Sequence, residues 1–256
     1  MSIIKKEVRV ISQRQIGRNI YDLLLSFPEA ARQAVPGQFV DLYTGDPSKL
    51  LPRPISICEA DAGSGTLRLV YRVAGGGTEV FSGLKAGDSI EVMGPLGNGF
   101  TMKDKKAILV GGGIGIPPML ELFKRLPGEK TVVLGYRDEL FLQEDFDSAG
   151  LPVAVATEDG SFGTRGTVLD AIEEQHIEGD IIYACGPMPM LRALARYAED
   201  RGMEAQISLE ERMACGIGAC LGCICKTRNK DVHTNVHNKR VCKDGPVFDA
   251  REVDFS

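Results

Sequence analysis

Five of the seven cysteines, Cys215, Cys220, Cys223, Cys225 and Cys242, crowd the last fifth of this 256-residue chain, whereas Cys58 and Cys185 stand alone. Cys215-x4-Cys220-x2-Cys223 followed by the distant Cys242 is the plant-type ligand spacing of a [2Fe–2S] cluster. A loop that wraps such an anionic group must turn tightly and aim backbone amides at sulfur, which demands residues without a bulky Cβ. Ala214–Cys223 reads ACGIGACLGC, with three glycines and two alanines in ten positions, and glycine reaches the positive φ angles such a loop requires. Cys225 lies too near Cys223 to span two irons. Cys242, arriving on a separate segment, is therefore assigned as the fourth ligand and Cys225 as a buried bystander. Two other chemistries compete. A zinc site from Cys223, Cys225, His233 and His237 has the spacing Cys-x-Cys-x7-His-x3-His, which does not match zinc fingers. A disulfide framework fits poorly with a chain read as cytosolic.

A second set of residues has the types and order needed to hold dinucleotides. Arg53-Pro54-Ile55-Ser56 opens a strand, Tyr71-Arg72-Val73 ends another, and Gly75-Gly76-Gly77-Thr78 leads into a short helix over Thr78–Leu84. A glycine-lined helix N-terminus offers free N–H groups and a positive dipole end to a pyrophosphate. Arg53 can add a bidentate pair to the same phosphates, and Ser56 can donate to a flavin ring atom. Taken alone, Arg53 also fits a solvated charge and Ser56 an ordinary strand residue. Further on, Gly111-Gly112-Gly113-Ile114-Gly115 follows a buried strand and opens a helix, a turn that lets a dinucleotide approach the backbone. It is not the G-x-G-x-x-G fingerprint, and a plain strand-to-helix turn fits it as well. Glu158 and Asp159 can accept hydrogen bonds from a ribose hydroxyl and repel a 2′-phosphate, which favours NAD over NADP. Arg165 nearby weakens that inference, and a solvated acidic turn is the plain alternative. Cys185-Gly186-Pro187 ends another strand, where Cys185 is equally a small core residue.

These residues need a scaffold, and the apolar patterning describes one. Glu7–Ile11, Tyr21–Ser26, Gln38–Tyr43, Ile55–Glu59, Leu67–Val73 and Ser89–Met93 read as short strands punctuated by Gly, Pro and Asp, the pattern of an antiparallel β-barrel over residues 1–101. A Gly/Pro-rich break follows Met93, and the period then changes. Ala107–Val110, Thr131–Gly135, Val153–Thr157 and Asp180–Cys185 are apolar runs typical of buried parallel strands. Between them lie helical patterns such as Met119, Leu122, Phe123 and Leu126. This predicts a parallel α/β sheet with helices on both faces over residues 102–209. From Glu210 the pattern dissolves into glycine and cysteine, leaving a small C-terminal cluster segment, 210–256.

Composition narrows the class. A net charge of −5 and a pI near 5.4 argue against a nucleic-acid partner. The 43% hydrophobic and 25% charged residues are an ordinary globular balance. The best apolar stretch, Ala107–Leu120, is short and broken by Gly and Pro, whereas a spanning helix needs about 20 apolar residues. The charged start MSIIKKEVRV lacks the apolar region of a signal peptide. The reading is a cytoplasmic protein with no membrane contact, in which cysteines favour metal over disulfides.

Barrel first, RPIS, YR with GGGT, then an α/β region opening on GGGIG and closing on CGP: this order resembles the ferredoxin–NADP reductase superfamily. The tail narrows the likeness. LEERMACGIGACLGC followed by VCKDGPVF is very similar to the cluster segment of the electron-transfer subunits of type B, NAD-linked dihydroorotate dehydrogenases, and the resemblance covers essentially the whole chain. It implies FAD at Arg53, Pro54, Ile55 and Ser56, at Val70, Tyr71 and Arg72, and at Gly77 and Thr78. It implies NAD at Gly111, Gly112, Gly113, Gly115, Glu158 and Asp159, and beside Cys185, Gly186 and Pro187. It implies cluster ligands at Cys215, Cys220, Cys223 and Cys242. Many reductases of the superfamily have Arg-x-Tyr-Ser where this chain has Ile55, so an aromatic wall on the flavin must come from elsewhere or be absent.

The resemblance also implies a partner, a catalytic subunit carrying FMN that oxidises dihydroorotate to orotate in pyrimidine synthesis, joined as a heterotetramer of two of each. A flavin exchanges one or two electrons and so must stand between a hydride acceptor and a one-electron cluster. Glu210 or Glu211 is expected near the flavin edge, and His176, His233 and His237 show no motif. Subunits of NAD(P)H–ferredoxin oxidoreductases and sulfide dehydrogenases share the superfamily, but those relatives tend to carry aspartate where Cys215 stands. A third reading is a non-enzymatic zinc or iron–sulfur interaction module.

Overall fold

Six strands of alternating pattern open the chain. β1 (Ile4–Gly17), β2 (Ile20–Ser26), β3 (Phe39–Tyr43), β4 (Arg53–Asp61), β5 (Thr66–Arg72) and β6 (Ser89–Leu96) close into an antiparallel barrel in the order β1-β2-β5-β4-β3-β6. The structure is a computed structural model and describes residues 2–148, 150, 153–231 and 235–256. Successive strand side chains face opposite ways. Val8 and Val10, Leu23 and Leu25, Val40 and Leu42, and Leu67, Leu69 and Tyr71 therefore fill the interior. α1 (Pro28–Gln33) and α2 (Gly76–Ser82) add Ala30, Ala31 and Phe81 to the same core. β3 is unusual in being buried on both faces: Phe39 and Asp41 point away from the barrel interior and are covered by the rest of the chain. The sequence reading stops β6 at Met93, whereas the strand runs on through Gly94-Pro95 to Leu96. Gly94 permits this because a Cβ there would lie 2.6 Å from Val40 Cγ1.

The second half is a doubly covered sheet. β7 (Ala107–Gly112), β8 (Lys130–Tyr136), β9 (Val153–Thr157), β10 (Thr164–Arg165), β11 (Ile181–Cys185) and β12 (Glu204–Ser208) run parallel. α3 (Pro117–Arg125) and α4 (Gln143–Asp147) bury Leu109, Val132 and Leu134 on one face. α5 (Val168–Glu174) and α6 (Met188–Asp200) bury Ile108, Val133 and Ile182 on the other. The chain leaves β7 toward β8 and later returns to β11 on β7's opposite side. The crevice at such a reversal, outside the carboxyl ends of the strands, is where ligands bind in open α/β sheets.

The tail is more structured than its glycine-rich sequence implies. β13 (Ile224–Lys226) and β14 (Asn238–Arg240) pair antiparallel, and the short α7 (Val241–Asp244) follows. β15 (Val247–Asp249) then pairs antiparallel with β12 and ends the seven-stranded sheet β10-β9-β8-β7-β11-β12-β15. A three-residue strand carries too little periodicity to stand out in sequence, and what fixes it is burial of Val247 and Phe248. Barrel and sheet are locked together at α3. Buried Glu121 accepts the Ala60 N–H (3.1 Å) and pairs with Arg125 (3.2 Å), which donates to the Ala34 carbonyl (2.9 Å). No helix among the described residues is long and apolar enough to cross a membrane.

Candidate functional site

The Ala214–Cys223 loop turns on Gly216 and Gly218, whose φ angles are +66° and +82°, and the turns aim its amides at sulfur. Ala219 N–H donates to Cys215 Sγ (3.3 Å), Gly222 N–H to Cys220 Sγ (3.4 Å), Gly218 N–H to Cys242 Sγ (3.1 Å) and Cys242 N–H to Cys223 Sγ (3.4 Å). Each of the four expected ligands therefore accepts a backbone N–H, which stabilises a thiolate and the anionic group it would bind. Cys215 interacts with Cys220, and Cys242 with both Cys223 and Cys215, so the four thiols form one set. Among the described residues no three His, Cys, Asp or Glu side chains converge as a single-ion site would need. The donor set and its cradle thus fit a [2Fe–2S] cluster.

Protonation follows the same geometry. Desolvation pushes the Cys215 thiol up, but the N–H groups of Ile217, Cys220 and Ala219 outweigh it and hold the thiol below its ordinary range. Burial, with Cys223 alongside, pushes the Cys242 thiol up. Cys225 is buried on β13 opposite Lys239, and burial pushes its thiol up to about 11. Of the zinc alternative, Cys223 is paired with Cys242 and His237 Nδ1 hydrogen-bonds the Thr227 carbonyl oxygen (3.2 Å). His233 lies outside the described residues.

Beneath the loop sits a residue that sequence reasoning missed. Asp41, on the outer face of β3, is fully buried, and neither carboxyl oxygen has a hydrogen-bond partner. A Cβ on Gly216 would collide with Asp41 Oδ2. Burial first, then the neighbouring Cys215, pushes the Asp41 carboxyl up to about 7. Nothing in its local sequence marks it for burial, because the covering loop is far along the chain.

A cleft of about 1340 Å³ opens at the carboxyl ends of β7, β8, β9 and β11, facing the barrel. Of the residues expected to take NAD, Gly112, Gly113, Glu158 and Pro187 line it. Gly111, Gly115, Cys185 and Gly186 form the packing behind that wall. A Cβ on Gly115 would lie within 2.5 Å of the Cys185 carbonyl carbon and Gly186 nitrogen. Asp159 stands outside the cleft, with its carboxylate held by the Ser161 N–H (2.9 Å) and hydroxyl (2.7 Å). Arg165 lies with its side-chain stem over Gly160 and does not line the cleft. Arg137, Asp138 and Glu139 line it and were not anticipated. Their signal, a charged run directly after an apolar strand, was present but nonspecific. Burial, reinforced by Glu210, pushes the Cys185 thiol up to about 12, so it is neutral. Glu210, following β12 and Leu209, is exposed, and desolvation by the neighbouring protein raises its carboxyl.

These features have counterparts in known proteins. Residues 7–100 match the oxidoreductase FAD-binding domain family, and residues 210–254 match the iron–sulfur cluster binding domain of dihydroorotate dehydrogenase B. The chain is 44% identical to the dihydroorotate dehydrogenase B (NAD(+)) electron transfer subunit of Geobacillus kaustophilus (strain HTA426), over 97% of this chain and 98% of that one. The subunit of the same name from Geobacillus sp. (strain WCH70) is 42% identical over the same shares. The chain belongs to this family of electron transfer subunits. A solved structure of an NADH-dependent reduced ferredoxin–NADP oxidoreductase superposes with a TM-score of 0.85 at 29% identity, over 97% of this chain and 90% of that one.

For this family of flavin and iron–sulfur oxidoreductase subunits, the residues expected at FAD divide sharply. Arg53 reaches across to the start of α2, where a Cβ on Gly77 would lie 2.6 Å from Arg53 Cζ. The Arg53 guanidinium also donates to the Leu51 carbonyl (2.5 Å). The Thr78 hydroxyl accepts from the Ala74 N–H (2.9 Å) and donates to the Gly75 carbonyl (2.9 Å), shaping the glycine turn itself. Ser56 and Pro54 on β4 stand opposite Phe39 and Asp41 on β3, with Ile55 opposite Val40. Arg72 lines the cleft. Tyr71 points inward: it stacks on Tyr21 at 5.8 Å and donates to Gln13 Oε1 (3.0 Å), so only its backbone faces a ligand. Val70 is buried as well.

Two outcomes are expected. Cys242→Ser loses the [2Fe–2S] absorbance and electron paramagnetic resonance signal of the purified chain, whereas Cys225→Ser retains both. Asp41 titrates near 7 when folded, against an ordinary value of 3.8. The folded chain therefore binds the extra proton and loses stability as pH rises between those values. Asp41→Asn is expected to raise stability on the order of 2 kcal/mol at pH 8 and little at pH 4, read by thermal unfolding at both pH values.

Proposed function

We propose that this chain is the relay of a cytoplasmic NAD-linked dihydroorotate dehydrogenase in pyrimidine (UMP) biosynthesis, joined two-to-two with an FMN-bearing catalytic subunit that oxidises dihydroorotate to orotate. When bound, the [2Fe–2S] cluster supplies one-electron transfer and FAD converts it to the two-electron exchange that NAD+ requires. The observation that carries this reading is adjacency. The cluster loop covers β3, and β3 pairs with the Arg53–Ser56 stretch of β4 through Phe39–Ser56 and Asp41–Pro54. The strand beneath the cluster loop and the strand expected to hold FAD are thus neighbours, about 4.8 Å apart between backbones, which supports a short path between the two cofactors.

In this reading Arg53 and the amides at Gly77 and Thr78 hold the FAD pyrophosphate, and Ser56 donates to the flavin ring. The Val70–Arg72 stretch offers backbone groups and the Arg72 guanidinium. Gly111, Gly112, Gly113 and Gly115 keep the turn after β7 thin enough for NAD to approach. Cys185, Gly186 and Pro187 form the surface behind the nicotinamide. Cys185, as a neutral thiol, supplies shape there rather than charge. Glu158 accepts from the adenosine ribose, while Asp159 acts by fixing the turn through Ser161. Cys215, Cys220, Cys223 and Cys242 hold the cluster. Ile217, Leu221 and Ile224 are 45%, 61% and 46% exposed beside it, an apolar surface suited to the catalytic subunit.

The test is co-expression under anaerobic conditions with an FMN-bearing dihydroorotate dehydrogenase subunit, following NAD+ reduction with dihydroorotate as donor. A complex that holds FMN, FAD, iron and sulfide and makes NADH supports the reading. A chain that binds FAD and oxidises NADH but never couples to dihydroorotate sinks it in favour of a ferredoxin-linked oxidoreductase component, the reading that the solved-structure likeness would then favour. Nucleotide choice gives a second prediction. Removing the Glu158 charge by Glu158→Gln is expected to lower KM for NADP+ about tenfold, about 1.4 kcal/mol, with a much smaller change for NAD+ in steady-state assays.

A further inference from the structure

One wall of the nucleotide cleft is held from the barrel rather than from the sheet that carries it. Arg137, Asp138, Glu139 and Phe141, in the connection from β8 to α4, line the cleft. Within the connection the Tyr136 hydroxyl donates to the Phe141 carbonyl (2.9 Å). Toward the barrel it is tied at two points. Glu139 Oε2 accepts the N–H of Arg18 in the β1–β2 turn (2.8 Å). Asp145 of α4 accepts from Arg68 of β5, with Nη1 at 2.5 Å and Nη2 at 3.3 Å.

Arg68 is not free to swing. Its Nε and Nη2 grip the two oxygens of Asp22 at 2.9 and 3.0 Å, and Asp22 Oδ2 also accepts from Arg14 (3.1 Å). The Arg68 and Asp22 side chains are only 13% and 9% exposed. A bidentate guanidinium–carboxylate pair fixes orientation as well as charge, and burial protects it from the screening that weakens surface pairs. The remaining edge of the fork therefore points at Asp145, with Glu59 at 3.6 Å from the same Nη1.

We propose that Arg68, fixed by Asp22, is a positioning residue for the nicotinamide nucleotide: through Asp145, and with Glu139 at the other end, it holds the Arg137–Phe141 wall in its binding conformation. The proposal rests on the reading that NAD binds in this cleft. Ordering a charged connecting loop costs conformational entropy that binding otherwise has to supply. A wall already ordered by the barrel leaves that cost out of the binding step.

The test is NADH-dependent dye reduction by the flavin- and cluster-loaded chain. Asp145→Asn is expected to raise KM for NADH about tenfold with kcat, FAD content and cluster spectrum unchanged, the pattern of lost uniform binding. Arg68→Lys keeps the charge but not the fork and is expected to give a smaller rise of the same kind. Arg125→Lys keeps the charge beside Glu121 but gives up the fork that reaches the Ala34 carbonyl (2.9 Å), another tie across the barrel–sheet boundary, and its KM is expected to stay unchanged. An unchanged KM in Asp145→Asn and Arg68→Lys overturns the proposal. So does loss of FAD in Asp145→Asn, or an equal rise in Arg125→Lys, since either marks general loosening. Glu158→Gln separates the two failures. If it leaves the NADH/NADPH preference unmoved, the nucleotide lies elsewhere and the cleft reading fails; if it moves that preference while Asp145→Asn leaves KM alone, only the tether fails.

Discussion

Gly216 lies against the buried carboxyl of Asp41 with no room for a side chain, and this contact sets the terms for the rest of the chain. A cluster loop can be pressed onto a barrel strand only if something else carries it there. The sheet does so: β15 extends β12, and Leu209 N–H donates to the Pro246 carbonyl (2.9 Å). The barrel contributes as well. Asn98, just past β6, donates from its side chain to the Lys243 and Asp244 carbonyls (3.1 Å each), and its N–H bonds the Gly245 carbonyl (2.7 Å). The tail is thus stitched to both halves, which explains why forty-odd residues with little periodicity of their own can hold a precise cradle.

The same contact organises the polar chemistry. Backbone N–H groups aimed at four sulfurs concentrate positive potential where an anionic cluster sits. A carboxyl left without a partner directly beneath is the opposite choice, and it carries an energetic cost. Proteins keep such groups mostly where function needs them. Among the described residues no other buried acid resembles it: Glu121 is answered by Arg125 and the Ala60 N–H, and Asp22 by Arg68 and Arg14.

Most of the architecture was legible in sequence because its signals are local. Alternation marked the barrel strands, continuous apolar runs marked the parallel ones, and cysteine spacing marked the cradle. What the sequence hid depends on partners far along the chain. Asp41 carries no local mark of its burial, which comes from a loop about 175 residues later. β15 is three residues long and is fixed by β12. The cleft residues Arg137, Asp138 and Glu139 look like any charged turn until the barrel meets the sheet. Asp159 and Tyr71 show the reverse error. A residue adjacent to a functional one in sequence need not share its direction, because Asp159 is engaged by Ser161 and Tyr71 by Tyr21 and Gln13.

Local rules are broken again within the cluster loop itself. Leu221 takes a φ of +57° and is 61% exposed, between Cys220 and Gly222. A bulky residue rarely adopts that conformation and gains nothing there by burial within this chain. Ile217 and Ile224 are exposed on the same segment. Strain and exposed apolar area cost an isolated chain stability, so neither helps it fold alone. Both are recovered if a second protein covers the loop, because the leucine then buries its side chain and the cluster loses contact with water. A catalytic subunit docked on this loop, as the proposed relay requires, would bury that leucine and shield the thiols beneath it.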